Sequence, residues 1–524
     1  MLLQDLVLQS AARSPDKTAL IEHGSAISYA ELATRIRAFA AFIQTIGLQP
    51  GERVGVYLNK QVAAVVAFFG AACAGCTFVP INPRLKPAQV SHILSDCEIR
   101  LLVTNSALAN ALDGTLADCT ALSGVVVSDG WESTEKPRVA WHDWSAVMAS
   151  PARAPNPHII DADVAAVFYT SGSTGLPKGV VLSHRNIVAG AHSVASYLDN
   201  VADDVILAVL PLSFDAGFSQ LTSAFAVGAS VVLIDYLLPQ DVINAVADHA
   251  VTGLAGVPTL WNQLAGLEWA SGATRSLRYL TNTGGAMPVA TLQALRRKLP
   301  QAAPYLMYGL TEAFRSTYLP PSELDRRPTS IGVPIPNADV AVVRPDGTEC
   351  GPGEHGELVH RGALVAQGYW NDAAATAKRF KPWPLGPAER KIPEPAVWSG
   401  DTVYRDDDGF FYFVGRADEM IKSSGYRISP SEVEDCLQRS DYVAQCAAFG
   451  VPHDELGQAV VAVYSPDAAL ESADELMAVC RRELPGYMVP RKIIGVAELP
   501  TTPTGKIDRR HLRAQYLHLF TGAS

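Results

Sequence analysis

The chain has 524 residues, a formal charge of −11 with histidine neutral, 48% hydrophobic residues and 18% charged ones. That length exceeds what one hydrophobic core serves, so two or more domains are expected, and the composition excludes a disordered chain. The acidic balance argues against nucleic acid as a partner, while leaving room for a local basic patch around a phosphate-bearing ligand.

The first 155 residues or so alternate helical and strand patterns. A helix opens at Ser28-Tyr29-Ala30-Glu31-Leu32 and runs to about Ile46. Strand Arg53–Leu58, helix Val62–Ala74 and strand Thr77–Ile81 follow. Such alternation predicts α/β layers with parallel strands. Cys73 and Cys76 form a C-x-x-C within the apolar run AFFGAACAGCTFVPI, with no second pair to complete a metal site. They and the other six scattered cysteines read as reduced core thiols, in keeping with a cytoplasmic protein. The N-terminus MLLQDLVLQSAARSPDK lacks the basic and apolar regions of a signal peptide. No window reaches the roughly 18 uninterrupted apolar residues of a membrane span. Residues 107 to 157 read as surface connections.

Next comes Tyr169–Gly179, YTSGSTGLPKG, between the apolar runs Val164–Phe168 and Val180–Leu182. Two short strands joined by a loop of glycine and hydroxylated residues offer backbone N–H groups, hydroxyls and Lys178 to phosphate oxygens. It is not a Walker A loop, because Lys178 precedes Gly179 where that motif needs Ser or Thr. Ser183 is placed to cap a helix reaching about Tyr197. Strands Val205–Leu210 and Ser230–Ile234 bracket Pro211-Leu212-Ser213-Phe214-Asp215-Ala216. Leu277–Thr283 leads into Gly284-Gly285, and Tyr305–Glu312 reads YLMYGLTE. A smaller α+β unit begins near Gly415-Arg416-Ala417-Asp418. Within it, Ser429-Pro430-Ser431-Glu432 and Ser472-Ala473-Asp474-Glu475 have the pattern of capping boxes.

Five motifs stand in fixed order: YTSGSTGLPKG, YGLTE, WSGD, GRADEMIKSSG and PTGKIDR. In this order, and from the SYAEL near residue 28 to the lysine near the end, the chain resembles the AMP-forming, adenylate-forming superfamily. That group comprises acyl-CoA synthetases, adenylation domains of nonribosomal peptide synthetases, and luciferases. The resemblance implies an α/β fold: a large multi-layer N-terminal domain (1–417) with mostly parallel sheets, and a small mobile α+β C-terminal domain (418–524). It implies ATP-dependent activation of a small carboxylic acid to an acyl-AMP with loss of pyrophosphate. The acyl group then passes to the thiol of coenzyme A or of a phosphopantetheinylated, stand-alone carrier protein. Charge grows on the phosphates in the first step, so donors, cations and Mg²⁺ suit it.

By the same resemblance, Thr170, Ser171, Gly172, Ser173, Thr174, Gly175 and Lys178 close over the β- and γ-phosphates. Thr311 contacts the α-phosphate and Glu312 holds Mg²⁺. Tyr308 stacks near the adenine, and Gly285 and Gly309 belong to the same nucleotide-binding set. Asp401 takes the ribose hydroxyls, with Arg416 close by. Lys506 reaches the reacting carboxylate, Asp418 is the hinge, and the face near Lys422–Gly425 meets the thiol.

The acid pocket is expected at Phe214, Asp215, Ala216, Ser219, Ala255, Thr281, Thr283, Met307, Arg315 and Ser316. Asp215 matches the aspartate that pairs with a substrate ammonium in amino-acid-activating domains, which points to an amino acid. If Arg315 neutralises Asp215, that argument weakens; if Arg315 points inward, it suits a second anionic group on the substrate. Leu310 and Gly284-Gly285-Ala286 look more like acyl-CoA synthetases. The stretches around YGLTEAFRSTYLPP and AVWSGDTVYRDDDGFFYFVGRADEMIKSSGYRISPSEVE most resemble acyl-CoA ligases described as exosortase A-associated. The alternatives are a fatty or aryl acyl-CoA synthetase without amino recognition, a luciferase-like oxygenase, and a non-catalytic adenylate-binding protein.

Overall fold

The computed structural model describes the chain except for residues 113, 131–138, 151–156, 171–176, 270–273, 388, 390, 417–419, 440–442, 467–472, 501–506 and 521–524. Two large sheets and a smaller one form the first unit. In the seven-stranded sheet the order is Ala140–Asp143, Gly124–Val127, Ile99–Thr104, Arg53–Tyr57, Thr77–Ile81, Val164–Thr170, Lys178–Ser183. Only its last pair is antiparallel. The nine-stranded sheet has a parallel centre running from Ala303–Tyr308 through Tyr279–Asn282, Gly253–Gly256, Val205–Ala208 and Ser230–Leu233 to Thr18–Glu22.

Helices lie between these sheets, and their composition follows from that position. Val62–Cys73, VAAVVAFFGAAC, is apolar on every side and almost wholly buried, as a helix sandwiched between layers must be. Asp215–Val227 is similar; its Phe218 meets Phe68 edge-on, with centroids 5.7 Å apart, and also Phe69, Phe78 and Phe168. A third, antiparallel sheet contains Ala338–Val343, Gly356–Gly362, Pro395–Arg405, Phe380–Pro382 and Phe411–Arg416.

Residues 107 to 157 depart from expectation. Gly124–Val127 is a fully buried strand extending the parallel sheet, and Ala140–Asp143 adds another. Four residues of GVVV carry too short a signal to stand out from connecting chain.

The small unit has its own five-stranded sheet: Tyr426–Ile428, Ile421–Ser423, Gly457–Pro466, Val443–His453 and Lys492–Gly495. Helices Pro430–Gln438 and Ala473–Glu483 pack with it around a separate core. The expected boundary and hinge at Asp418 fall outside the described residues, as does Ser472 of the second capping pattern. The first pattern does not form a capping box. Pro430 occupies the first helical turn, but the Ser429 side chain makes no cap bond and its Oγ is buried without a partner. Glu432 does not reach back; it stands in the wall of the crevice between the units, 7% exposed, with both carboxylate oxygens unpartnered.

Burial, reinforced by the Asp435 charge, pushes the Glu432 carboxyl from 4.5 up to about 8. A raised carboxyl holds its proton in the fold while the unfolded chain has lost it. Its contribution to stability is therefore complete below pH 4.5 and is lost as pH rises through 8. Glu432→Gln should gain stability over the parent at pH 8.5 and show a much smaller gain at pH 4.5, read by urea unfolding at both values. An equal difference at both would refute the assignment.

Candidate active site

A crevice of about 1580 Å³ opens where the strand ends of the large unit face the small one. Thr170, Phe214, Asp215, Thr283, Gly285, Met307, Tyr308, Gly309, Thr311, Arg315 and Asp401 all line it. One turn supplies much of this wall. Strand Ala303–Tyr308 ends at Tyr308, a single 3₁₀ turn covers Thr311–Ala313, and Phe314 then takes φ 57° and ψ −51°. So strained a backbone at a buried phenylalanine needs support from its surroundings. Gly190 provides it: a Cβ there would lie 2.4 Å from the Phe314 ring.

The turn aims its polar side chains in different directions. The Tyr308 hydroxyl donates to Asp401 Oδ2 at 2.5 Å, so the two expected nucleotide-site residues already touch. The Thr311 hydroxyl donates to Asp215 Oδ1 at 3.1 Å, and Arg315 Nη1 donates to Asp215 Oδ2 at 2.9 Å. Arg315 and Asp215 form a nearly buried ion pair. Asp215 is thus neutralised within the protein, and the argument from an unpaired carboxylate toward a substrate ammonium loses its basis. Arg315 lines the pocket as part of this pair, not as a free cation awaiting an anion.

Glu312 points elsewhere. Its Oε1 accepts from the Tyr369 hydroxyl at 2.6 Å and lies 3.7 Å from Arg379 Nε; its Oε2 is buried without a partner. Burial alone would raise this carboxyl, but the Arg379 and Arg427 charges and the Tyr369 bond outweigh it and hold it down at about 2. Lys178, at the start of strand Lys178–Ser183 and opposite Thr170 in register, lies 3.2 Å from Asp372 Oδ2 and 5.7 Å from the Tyr369 ring centroid. Tyr369, Asp372 and Arg379 went unmarked in the sequence reading. The usable signal was local: Asp372 caps a short helix, donated to by the Ala375 N–H at 2.8 Å, and Arg379 sits in its last turn.

Arg416 pairs with Asp401 in the antiparallel register of its sheet. Ser171, Gly172, Ser173, Thr174, Gly175, Asp418 and Lys506 lie outside the described residues. Ala216, Ser219, Ala255, Thr281, Thr283, Met307 and Arg315 surround one small cavity, together with Tyr279, Gln220 and Gly253, which the sequence did not single out. Ser316 is not among them; its Oγ lies 2.9 Å from the buried His360 Nδ1.

The small unit contacts this wall directly. Phe214 meets Tyr426 edge-on, with centroids 5.2 Å apart, and Asn262 Nδ2 donates to the Asp454 carbonyl at 3.0 Å. Gly284 (φ +77°) and Gly425 (φ +80°) approach backbone to backbone. A Cβ on Gly284 would lie 3.3 Å from the Gly425 carbonyl, and one on Gly425 would lie 2.6 Å from Val257.

A crevice that joins a glycine-rich hairpin, a depressed buried carboxylate and a second unit closing from above belongs to an adenylating ligase. The AMP-binding enzyme profile matches residues 7–370, and that of the AMP-binding enzyme C-terminal domain matches residues 432–506; the chain belongs to this family. It is 31% identical over 98% of its length to a long-chain-fatty-acid–CoA ligase of Salmonella typhimurium, covering 94% of that protein. It is 34% identical over 93% of its length to an L-proline–[L-prolyl-carrier protein] ligase of Streptomyces coelicolor, covering 91% of it. Among solved structures, o-succinylbenzoate CoA synthetase of Bacillus subtilis superimposes with a TM-score of 0.83 at 25% identity, over 97% of this chain and 98% of that one. The expected fold, a large mostly parallel domain and a small C-terminal one, is the one observed. The chain is an AMP-forming acid–thiol ligase: it adenylates a carboxylic acid with ATP and passes the acyl group to a thiol. No helix among the described residues is long and apolar enough to cross a membrane.

Gly190→Ala should destabilise the protein by about 1–3 kcal/mol, because the Phe314 ring must move. Through Arg315 it should also raise KM for the acid more than KM for ATP, as measured by urea unfolding and steady-state kinetics. An unchanged acid KM would disconnect the turn from the pocket.

Proposed function

We propose that the crevice carries out two half-reactions with its residues in distinct roles. Thr170, the loop Ser171–Gly175 and Lys178 hold the β- and γ-phosphates. Thr311 meets the α-phosphate, Tyr308, Gly309 and Gly285 border adenine, and Asp401 with Arg416 takes the ribose. One oxygen of the acid bonds to the α-phosphorus as the bond to pyrophosphate breaks, with Lys506 balancing the charge that develops there. The thiol sulfur then attacks the acyl carbon, and AMP leaves.

Mg²⁺ fits this site, since Glu312 keeps a buried oxygen without a partner and is held ionised. Glu312 would hold it, and the ion would supply charge neutralisation on the phosphates. No group of three or more His, Cys, Asp or Glu forms a metal cage among the described residues, as suits an ion held largely by substrate oxygens. Domains 1–417 and 418–524 would rotate about Asp418 between the steps.

The observation that carries this reading is the close approach of Gly425 to Gly284 over the crevice. It brings the Lys422–Gly425 face to the acid site, which suits the thiol-transfer step. The similar synthetase from Bacillus subtilis was solved with a coenzyme A product analogue, and coenzyme A is the thiol we favour. Because Asp215 is neutralised by Arg315, the favoured substrate is an acid without an obligatory α-ammonium. The resemblance to a prolyl-carrier protein ligase favours the second reading, an amino acid passed to a carrier protein.

Lys506→Ala should cut ATP–pyrophosphate exchange by roughly 10²–10³-fold, the scale of losing one transition-state donor. Gly425→Ala should leave exchange intact and slow thioester formation more than about tenfold, since a Cβ there meets Val257. Equal loss of both steps in both variants would rule out separate roles. Exchange with L-proline but not with its deaminated analogues would establish the second reading.

A further inference from the structure

The small cavity beside Asp215 and Arg315 has a volume of about 30 Å³. That is room for about two water-sized groups. Its base is closed. The Tyr279 phenol lies across Gly253, so that a Cβ on Gly253 would fall 2.2 Å from the Tyr279 hydroxyl, and Asn200 Nδ2 holds that hydroxyl at 2.9 Å. Tyr279 is buried and packed edge-on against Tyr305, with centroids 6.3 Å apart, so the floor is braced from behind.

Its walls are mixed: Leu198, Ile206, Leu210 and Met307 line it together with Arg315 and the hydroxyl-bearing Ser219, Thr281 and Thr283. Arg315 is 4% exposed and its Nε is buried without a hydrogen-bond partner. A buried donor left unpaired, as Arg315 Nε is, favours a ligand that accepts from it and penalises one that leaves it dry. The pair Asp215–Arg315 has no net charge, so the complement is a neutral oxygen and not a second carboxylate.

We propose that this enzyme activates a short carboxylic acid, of about three to five carbons, that carries a hydroxyl or keto oxygen, and that Tyr279 excludes long alkyl chains. This rests on the reading that the acid's substituent enters this cavity. The Salmonella typhimurium relative, by its name, is a ligase of long-chain fatty acids; a small cavity floored by Tyr279 would set this chain apart from it.

The test is ATP–pyrophosphate exchange with 2-hydroxybutanoate, 3-hydroxybutanoate, butanoate, octanoate and dodecanoate. One of the hydroxybutanoates should exceed butanoate by roughly tenfold or more, with dodecanoate at background. Tyr279→Ala should admit octanoate, whereas Tyr279→Phe, which keeps the floor, should leave the chain-length profile unchanged. Thr281→Val, close to isosteric, should shrink the preference for the hydroxylated acid. Dodecanoate exchanging as fast as the four-carbon acids in the unmodified protein, or butanoate matching both hydroxy acids, would overturn the proposal. Exchange with L-proline or an aryl acid and with none of these acids would overturn the proposal while leaving the ligase activity in place.

Discussion

The ion pair between Arg315 and Asp215 is the contact on which the site depends. It is nearly buried, and a buried charge that loses its partner costs about 3–5 kcal/mol, so neither side chain can move alone. Asp215 sits in the first turn of the helix Asp215–Val227, whose far side forms the aromatic core around Phe218. Arg315 hangs from the turn after strand Ala303–Tyr308, and Thr311 of the same turn holds the other oxygen of Asp215. One carboxylate therefore ties the acid pocket to the segment that carries Tyr308, Thr311 and Glu312. The strained Phe314 backbone is tolerated because this network, and the space left by Gly190, determine its conformation from several sides.

The two units meet with little side-chain bulk at the centre of the crevice. Gly284 and Gly425 each have a positive φ, and at each a side chain would crowd the opposing element. Around that point the contact is larger: the Phe214 ring meets Tyr426, which is itself stacked on Tyr487 within the small unit with centroids 3.6 Å apart. An aromatic contact at the rim and bare backbone at the centre make a joint without interlocking side chains, which suits the rotation proposed above.

The parts of the fold readable from sequence were those with long periodic signals or glycine punctuation. The helix after Ser28, the strand Thr77–Ile81 and the hairpin around the glycine loop lie where the pattern predicts. The strand Gly124–Val127 did not show, because four residues buried on both faces carry no alternation. The pattern at Ser429 misled for a different reason. Glu432 has the spacing of a capping partner, but tertiary packing places it in the inter-domain wall, and no local rule contains that contact. At the site, ordered motifs marked Tyr308, Thr311, Glu312 and Asp401. Tyr369 and Arg379 escaped because their importance lies only in reaching Glu312 from 57 and 67 residues away in sequence. The pairing of Asp215 with Arg315 was open in the sequence, since two side chains a hundred residues apart reveal their partner only in space.

A division runs through the wall of the crevice. Tyr308, Thr311 and Glu312 each bond to another residue of the site, so a change at any of them leaves a buried polar group unpaired. Ser219, Thr281 and Thr283 are different: they line the small cavity and take no part in those bonds. On the roles proposed above, substitution there would change what the pocket accepts while leaving the bonds of the Tyr308–Glu312 turn in place; the two regions are joined through the Asp215 carboxylate. A fold divided in this way can keep one reaction while its acid changes, and the acid must be read from the cavity walls, not from the motifs.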